Sequence, residues 1–249
     1  MELIITFSII VIVIVLIFIL ARRQQSAKAP TLLRPFSAHK ALKGQVGRAV
    51  ESASRLHISL GRGSLIGAAN PVSLSAVSIL DRLAQDGCAN DTPPITTVGD
   101  GTLLPIADNH VRFAAELAGN SNRLPNGTIQ FVADSNNPFT YAGGVTNVIQ
   151  QEKILGNILV GQFGQEIGII TEVASRNQIN QVIGSDDPLA LAVATTATDD
   201  IMIGEELLAS PAYIEGKPFQ IASLQVQDIL RVVVGLAILG TAVYKLVTG

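Results

Sequence analysis

Residues 57–83 read HISLGRGSLIGAANPVSLSAVSILDRL. The first four of them form a short apolar run that stops at Gly61, the pattern of a strand ending in a turn. Asn70 then stands where a helix N-cap belongs, and Pro71 suits the first helical position, where a missing N–H costs nothing. Val72, Ala76, Ile79, Leu80 and Leu83 fall on one helical face. One strand, one glycine turn and one amphipathic helix make the unit from which an α/β sheet is built.

The same unit recurs down the chain. Residues 95–98 end at Gly99 before a helix near 105–118, and residues 128–133 precede a helix near 138–150. Residues 157–160 end at Gly161 before a helix near 165–176. Residues 179–183 end at Gly184, and Asp187 with Pro188 opens another helix. Residues 218–224 read as a last strand. Short apolar strands alternating with helices pair in parallel, and strands covered on both faces need not alternate in polarity. The expected fold is α/β, a doubly wound, mostly parallel sheet of five or six strands, Rossmann-like and flanked by N- and C-terminal transmembrane helices.

The flanks carry the membrane signal. Residues 3–21 (LIITFSIIVIVIVLIFILA) hold no charge, and at about 1.5 Å per residue they cross a hydrocarbon core of about 30 Å. Residues 232–244 (VVVGLAILGTAVY) with their apolar neighbours form a second, weaker span. Arg22, Arg23, Lys28, Arg34, Lys40, Lys43 and Arg48 follow the first span with no acid among them. That bias predicts two passes through the plasma (inner) membrane, a cytoplasmic middle and both termini outside. The expected parts are a transmembrane helix (1–21), a basic juxtamembrane linker (22–44), a cytoplasmic α/β domain (45–225) and a C-terminal transmembrane helix (226–249). Between residues 49 and 230 stand 8 Lys and Arg against 19 Asp and Glu. An acidic body behind a basic collar suits the lipid bilayer as a partner and argues against nucleic acid. The single cysteine, Cys88, excludes an internal disulfide and fits a reducing compartment.

In open α/β sheets, ligands sit beyond the carboxyl ends of the strands, where strand order reverses. The loops there are GRGSLIG (61–67), GDGT (99–102), ADSNN (133–137), GQFGQE (161–166) and GSDD (184–187). Candidate ligand-binding residues are Gly61, Arg62, Gly63, Gly67, Gly99, Asp100, Gly101, Thr102, Gly161, Glu166, Gly184 and Asp186. Glycine lets a ligand approach the backbone, and helix N-termini offer N–H groups to a small anionic ligand. Ordinary turn and capping chemistry uses the same residues. Gly61, Gly63 and Gly67 come near the dinucleotide fingerprint, with Asp100 as the ribose acid, but the helix starts late, at Pro71, and Asp100 follows Gly67 by 33 residues where about 20 is usual. The acids of these loops offer oxygen ligands for a divalent cation as a further alternative. No P-loop, nucleophile elbow, H-E-x-x-H or C-x-x-C occurs, so the sequence names no catalytic residue, metal site or cofactor. The histidines scatter: His39 in the linker, His57 at the start of a strand, His110 within a helix. Tyr141 lacks a lysine four positions on.

The runs VGRAVESASRLHISLGRGSLIGA (46–68), TPPITTVGDGTLLPIAD (92–108), VGQFGQE (160–166), IGSDDPLALAV (183–193), IGEELLASPAYIEG (203–216) and ASLQVQDILR (222–231) resemble a bacterial family of membrane-anchored domains of unknown function. The resemblance implies a membrane location and one shared architecture, and carries no activity, cofactor or site residue. Two roles remain open. One is a non-enzymatic scaffold or subunit of a membrane assembly, acting as a homo-oligomer or with a membrane-protein partner; Gly235, Ala237, Gly240 and Thr241 would allow close packing in the second span. The other is a membrane-tethered sensor or enzyme that binds a nucleotide or another anionic metabolite at the glycine loops.

Overall fold

The computed structural model describes residues 2–26, 36–66, 70–120, 124–134 and 136–248. The element order is α1 (Glu2–Ser26), α2 (Ser37–Glu51), β1 (Arg55–Gly61), α3 (Pro71–Cys88), β2 (Ile95–Val98), α4 (Leu103–Leu117), β3 (Ile129–Phe131), α5 (Pro138–Gln151), β4 (Ile154–Gln162), α6 (Ile167–Arg176), β5 (Asn180–Ser185), α7 (Pro188–Ala194), β6 (Ile201–Ile203), α8 (Glu205–Glu215) and α9 (Pro218–Thr248). Contacts divide the chain into two units, Pro35–Ile214 and the terminal segments Met1–Arg34 with Glu215–Gly249.

The larger unit is built on one six-stranded, all-parallel sheet of order β3-β2-β1-β4-β5-β6. The chain winds outward from β1 to one edge, returns through α5 to β4 beside β1, and winds out to the other edge. This is the expected doubly wound α/β fold, with its order reversal between β1 and β4. Leu56, Ile58 and Leu60 of β1 and Ile158 and Val160 of β4 face a core shared with α2, α3, α4 and α8. Ile95, Leu159 and Ile183 face the opposite core, filled by Tyr141, Ala142, Val145 and Ile149 of α5 with α6 and α7. Each large aliphatic side chain buried this way contributes about 1.5–3 kcal/mol.

The opening stretch folds as its pattern predicts. Asn70 caps α3 by accepting from the Val72 N–H at 3.0 Å. Val72, Ala76, Ile79, Leu80 and Leu83 are all buried. Asp187 caps α7 in the same manner, at 2.7 Å from the Leu189 N–H.

Three expectations are corrected. Residues 218–224 are no strand but the first turns of α9, with Pro218 as its first residue and Ile221, Ala222 and Val226 buried at helical spacing. Part of the stretch read as linker is helical: α2 starts at Ser37, and Ala38, Leu42, Gln45 and Ala49 form its buried stripe beneath a basic outer face. His39 therefore belongs to a helix. The sheet also gains β6, three residues long and paired with β5 through Ile183 and Ile201.

In the terminal unit α1 and α9 pack together, with the Phe18 and Phe219 rings 6.3 Å apart and Arg22 over the Phe18 ring. Both helices are long and apolar enough to cross a membrane, over Thr6–Gln25 and Pro218–Leu246.

Candidate functional site

β1 and β4 lie side by side at the order reversal, and their carboxyl ends approach closely. Gly61 has φ +72°, and a Cβ there would stand 2.9 Å from the Gln162 backbone nitrogen. Gly161 has φ +142° and faces the Leu60 carbonyl where its own Cβ would be. Only glycine satisfies both demands, because the ladder shifts register between Ser59 and Gly61.

Arg62 leaves this bend and ties the two strand ends together. Its backbone N–H donates to the Gln162 carbonyl at 2.9 Å, and its Nε donates to Glu166 Oε1 at 2.7 Å. The Gly164 N–H donates to the same carboxylate oxygen at 2.9 Å. Glu166 is only 1% exposed, so its charge is matched inside the protein rather than by water. Asn70 Nδ2 adds a bond to Gln162 Oε1 at 3.1 Å.

The neighbouring loop is stitched to the same place. The Gly99 N–H donates to the Gly61 carbonyl at 3.0 Å, and a Cβ on Gly99 would stand 2.9 Å from Arg62 Cγ and from the Tyr141 ring. Asp100 Oδ1 accepts from the Thr102 N–H at 2.9 Å and from its hydroxyl, while Thr102 Oγ1 accepts from the Leu65 N–H at 3.0 Å. Gly101 has open space around it.

The structure thus gathers Gly61, Arg62, Gly63, Gly99, Asp100, Thr102, Gly161 and Glu166 at one edge. It spends the charged groups among them on each other and on turns. Gly184 instead packs against Leu207 and Met202, and Asp186 is exposed beyond β5. Gly67 lies outside the described residues. Among the described residues no three His, Cys, Asp or Glu side chains gather to hold a metal ion.

Among the described residues one group at this edge lacks a partner. A Cβ on Gly63 would meet the Ser73 hydroxyl and the Asn70 amide. Ser73, in the first turn of α3, is fully buried, and its Oγ has no hydrogen-bond partner among the described residues.

Beneath the edge runs a polar chain that the sequence reading missed. His57 is no strand-start residue at the margin: it is fully buried in the centre of the sheet. Its Nδ1 lies 2.7 Å from Asn157 Oδ1 and its Nε2 3.0 Å from Thr97 Oγ1. Asn157 reaches Gln181 at 3.4 Å, and Gln181 Nε2 donates to the Thr171 carbonyl and to Ser175 Oγ. His57, Asn157 and Gln181 stand opposite one another across β1, β4 and β5. Burial lowers the His57 pKa to about 4, against the smaller opposing pull of its bond to Asn157. Next to this rung the Tyr141 hydroxyl meets Ser59 Oγ at 2.6 Å. Burial pushes the phenol up to about 12, offset in part by Ser59, Thr97, the Gly61 backbone and the Arg62 charge. A neutral imidazole and a neutral phenol here are structural polar groups that fix strand register. The signal was the alternation of β1 itself, where His57 and Ser59 interleave with Leu56, Ile58 and Leu60.

A family model described as a domain of unknown function, DUF6754, matches residues 1–248. No curated protein and no solved structure matches the chain.

Proposed function

The chain belongs to the DUF6754 family of unknown function, and from that premise we propose that it is a membrane-anchored subunit of a membrane assembly. One observation carries the reading: α1 and α9 leave their large apolar side chains uncovered. Phe7, Ile12, Val232, Leu236 and Leu239 are all more than 60% exposed, and the most apolar 18-residue stretch of α1 is only 6% buried and that of α9 not at all. Left in water, each such side chain forgoes about 1.5–3 kcal/mol, which a bilayer supplies. The run of basic residues after the first apolar stretch, from Arg22 to Arg48 with no acid among them, supports a cytoplasmic α/β unit at the plasma membrane with both termini outside.

A scaffold or subunit fits the carboxyl edge better than an enzyme does, because Arg62, Glu166 and Asp100 are engaged within the protein. Self-association is the simplest assembly. Tethering two copies to one membrane raises their effective concentration, and the small residues Gly235, Ala237, Gly240 and Thr241 of α9 permit close helix approach.

A second reading, a sensor for a small anionic ligand, is favoured by the buried Ser73 hydroxyl at the start of α3 beside the order reversal, which has no partner among the described residues. Native mass spectrometry of the full chain in mild detergent separates the two. A discrete multimer or a co-purifying protein supports the assembly subunit; a monomer carrying a stoichiometric small-molecule adduct supports the sensor and overturns the first reading.

A further inference from the structure

A second site lies on the α2 side of the sheet, away from the order reversal. There α2, α3 and the end of α8 surround a partly open cavity of about 200 Å³. Its floor is apolar, from Leu42 and Val46 of α2, Leu83 of α3 and Ile214 of α8. Its rim is cationic: His39 and Lys43 stand one turn apart on α2, facing Arg82 and Asp86 of α3. The His39 ring is held by Phe36 and Tyr213, at ring-centroid distances of 5.5 and 5.6 Å.

The charges at this rim do not cancel. Asp86 is the acid of the lining, and it already bonds Arg82 at 3.0 Å. Lys43 makes no ion pair among the described residues. Burial and then the Lys43 charge lower the His39 pKa.

We propose that this cavity binds a phosphate-bearing amphiphile, its anionic headgroup held by Lys43 and Arg82 and its short apolar body lying on Leu42, Val46, Leu83 and Ile214. Size narrows the class. Cofactor sites usually occupy about 300–1,000 Å³, so a nucleotide is too large. At about 30 Å³ per water the space equals a handful of solvent molecules, enough for one phosphate ester and the first few methylenes, with longer acyl chains leaving through the open side of the cavity. The ester has two sources, a lipid headgroup or a soluble metabolite. The lipid source rests on the membrane reading above, and the cavity walls adjoin the apolar helices in sequence: Ser37 opens α2 eleven residues after Ser26 closes α1, and Ile214 precedes Pro218 by four.

The test titrates the full chain in mild detergent with dioctanoyl phosphatidic acid, glycerol 3-phosphate and neutral dioctanoylglycerol, read by native mass spectrometry. Phosphatidic acid is expected to bind and dioctanoylglycerol is not. Lys43→Gln should weaken binding about tenfold, the worth of one charge-assisted contact. Asp86→Asn should tighten it, a gain that misfolding cannot imitate. Phosphatidic acid binding well above glycerol 3-phosphate assigns a lipid headgroup, and equal binding assigns a soluble ester; both support the site. Unchanged affinity in both variants, or dioctanoylglycerol binding as well as phosphatidic acid, overturns it. Because the titration needs no bilayer, a chain that fails to insert into membranes would still bind, so the two readings fail separately.

Discussion

Acidification should destabilise the α/β unit through His57, and the size of the effect follows from where that side chain sits. The folded-state pKa is about 4, below the ordinary 6.5, because a fully buried ring between Asn157 and Thr97 resists a charge. Between those two values the unfolded chain binds a proton that the folded chain refuses, so the unfolded state gains as pH falls. The His57 contribution is complete above about pH 6.5 and is lost on descending to about pH 4. At 1.36 kcal/mol per pKa unit the whole loss is about 3 kcal/mol, a large share of a typical domain's stability. The assay is urea unfolding of the full chain in mild detergent, followed by far-UV ellipticity from pH 7 to pH 4, beside His57→Gln. The glutamine amide can still reach Asn157 but does not titrate, so other groups cancel in the difference between the two proteins. That difference should shrink by about 3 kcal/mol across the window. A difference that stays flat to within about 1 kcal/mol, or a His57 ring that titrates near 6.5 by NMR, would refute the reasoning.

Other perturbations test the remaining parts. Arg62→Ala leaves Glu166 buried without its counter-charge and should cost about 3 kcal/mol in thermal or urea unfolding, whereas Arg62→Leu with Glu166→Leu should recover most of it. Gly61→Ala forces a side chain into a left-handed position against the Gln162 backbone and should cost at least about 2 kcal/mol; Gly101→Ala, with nothing within 4 Å, should change stability by less than about 0.5 kcal/mol. Cys88 is buried and its thiol pKa is raised by desolvation, so maleimide should label it only after denaturant is added. Replacing Ala237 and Thr241 by leucine should reduce assembly mass in native mass spectrometry, and an unchanged mass would remove α9 packing from the proposal.

How much of this was legible in the sequence depended on how local the cause was. Asn70-Pro71 and Asp187-Pro188 announce helix starts because a cap needs only its own turn. Repeated strand-helix units announce the parallel, doubly wound class, but not the 3-2-1-4-5-6 order or its reversal, since glycine ends four strands and only Gly61 and Gly161 flank that point. What failed was tertiary. The helix α2 was hidden because Lys40, Lys43 and Arg48 dominate its composition, while its buried stripe shows only at the spacing of Ala38, Leu42, Gln45 and Ala49. The α9 start looked like a strand because PFQIASL is apolar at both periods, and only the covering of Ile221, Ala222 and Val226 selects the helix. At the carboxyl edge the residue types were found but not their partners. Nothing near Arg62 in sequence reveals that Glu166 awaits it, since the two meet only when β1 and β4 pair. The alternation of β1 marks His57 as a polar residue on one face of the strand, but its partners Asn157 and Gln181 are set only by the pairing of β1, β4 and β5.

The central claim, that α1 and α9 anchor the chain with its α/β unit inside, is tested most directly by residue accessibility in intact spheroplasts. In a Cys88→Ser background, a cysteine at Asn90, an exposed position after α3, is compared with one at Thr248 near the C-terminus, using a membrane-impermeant maleimide. Labelling at 248 before lysis and at 90 only after lysis, with the chain retained in carbonate-washed membranes, is the predicted result. Labelling at 90 in intact spheroplasts, or release of the chain by carbonate, would contradict it.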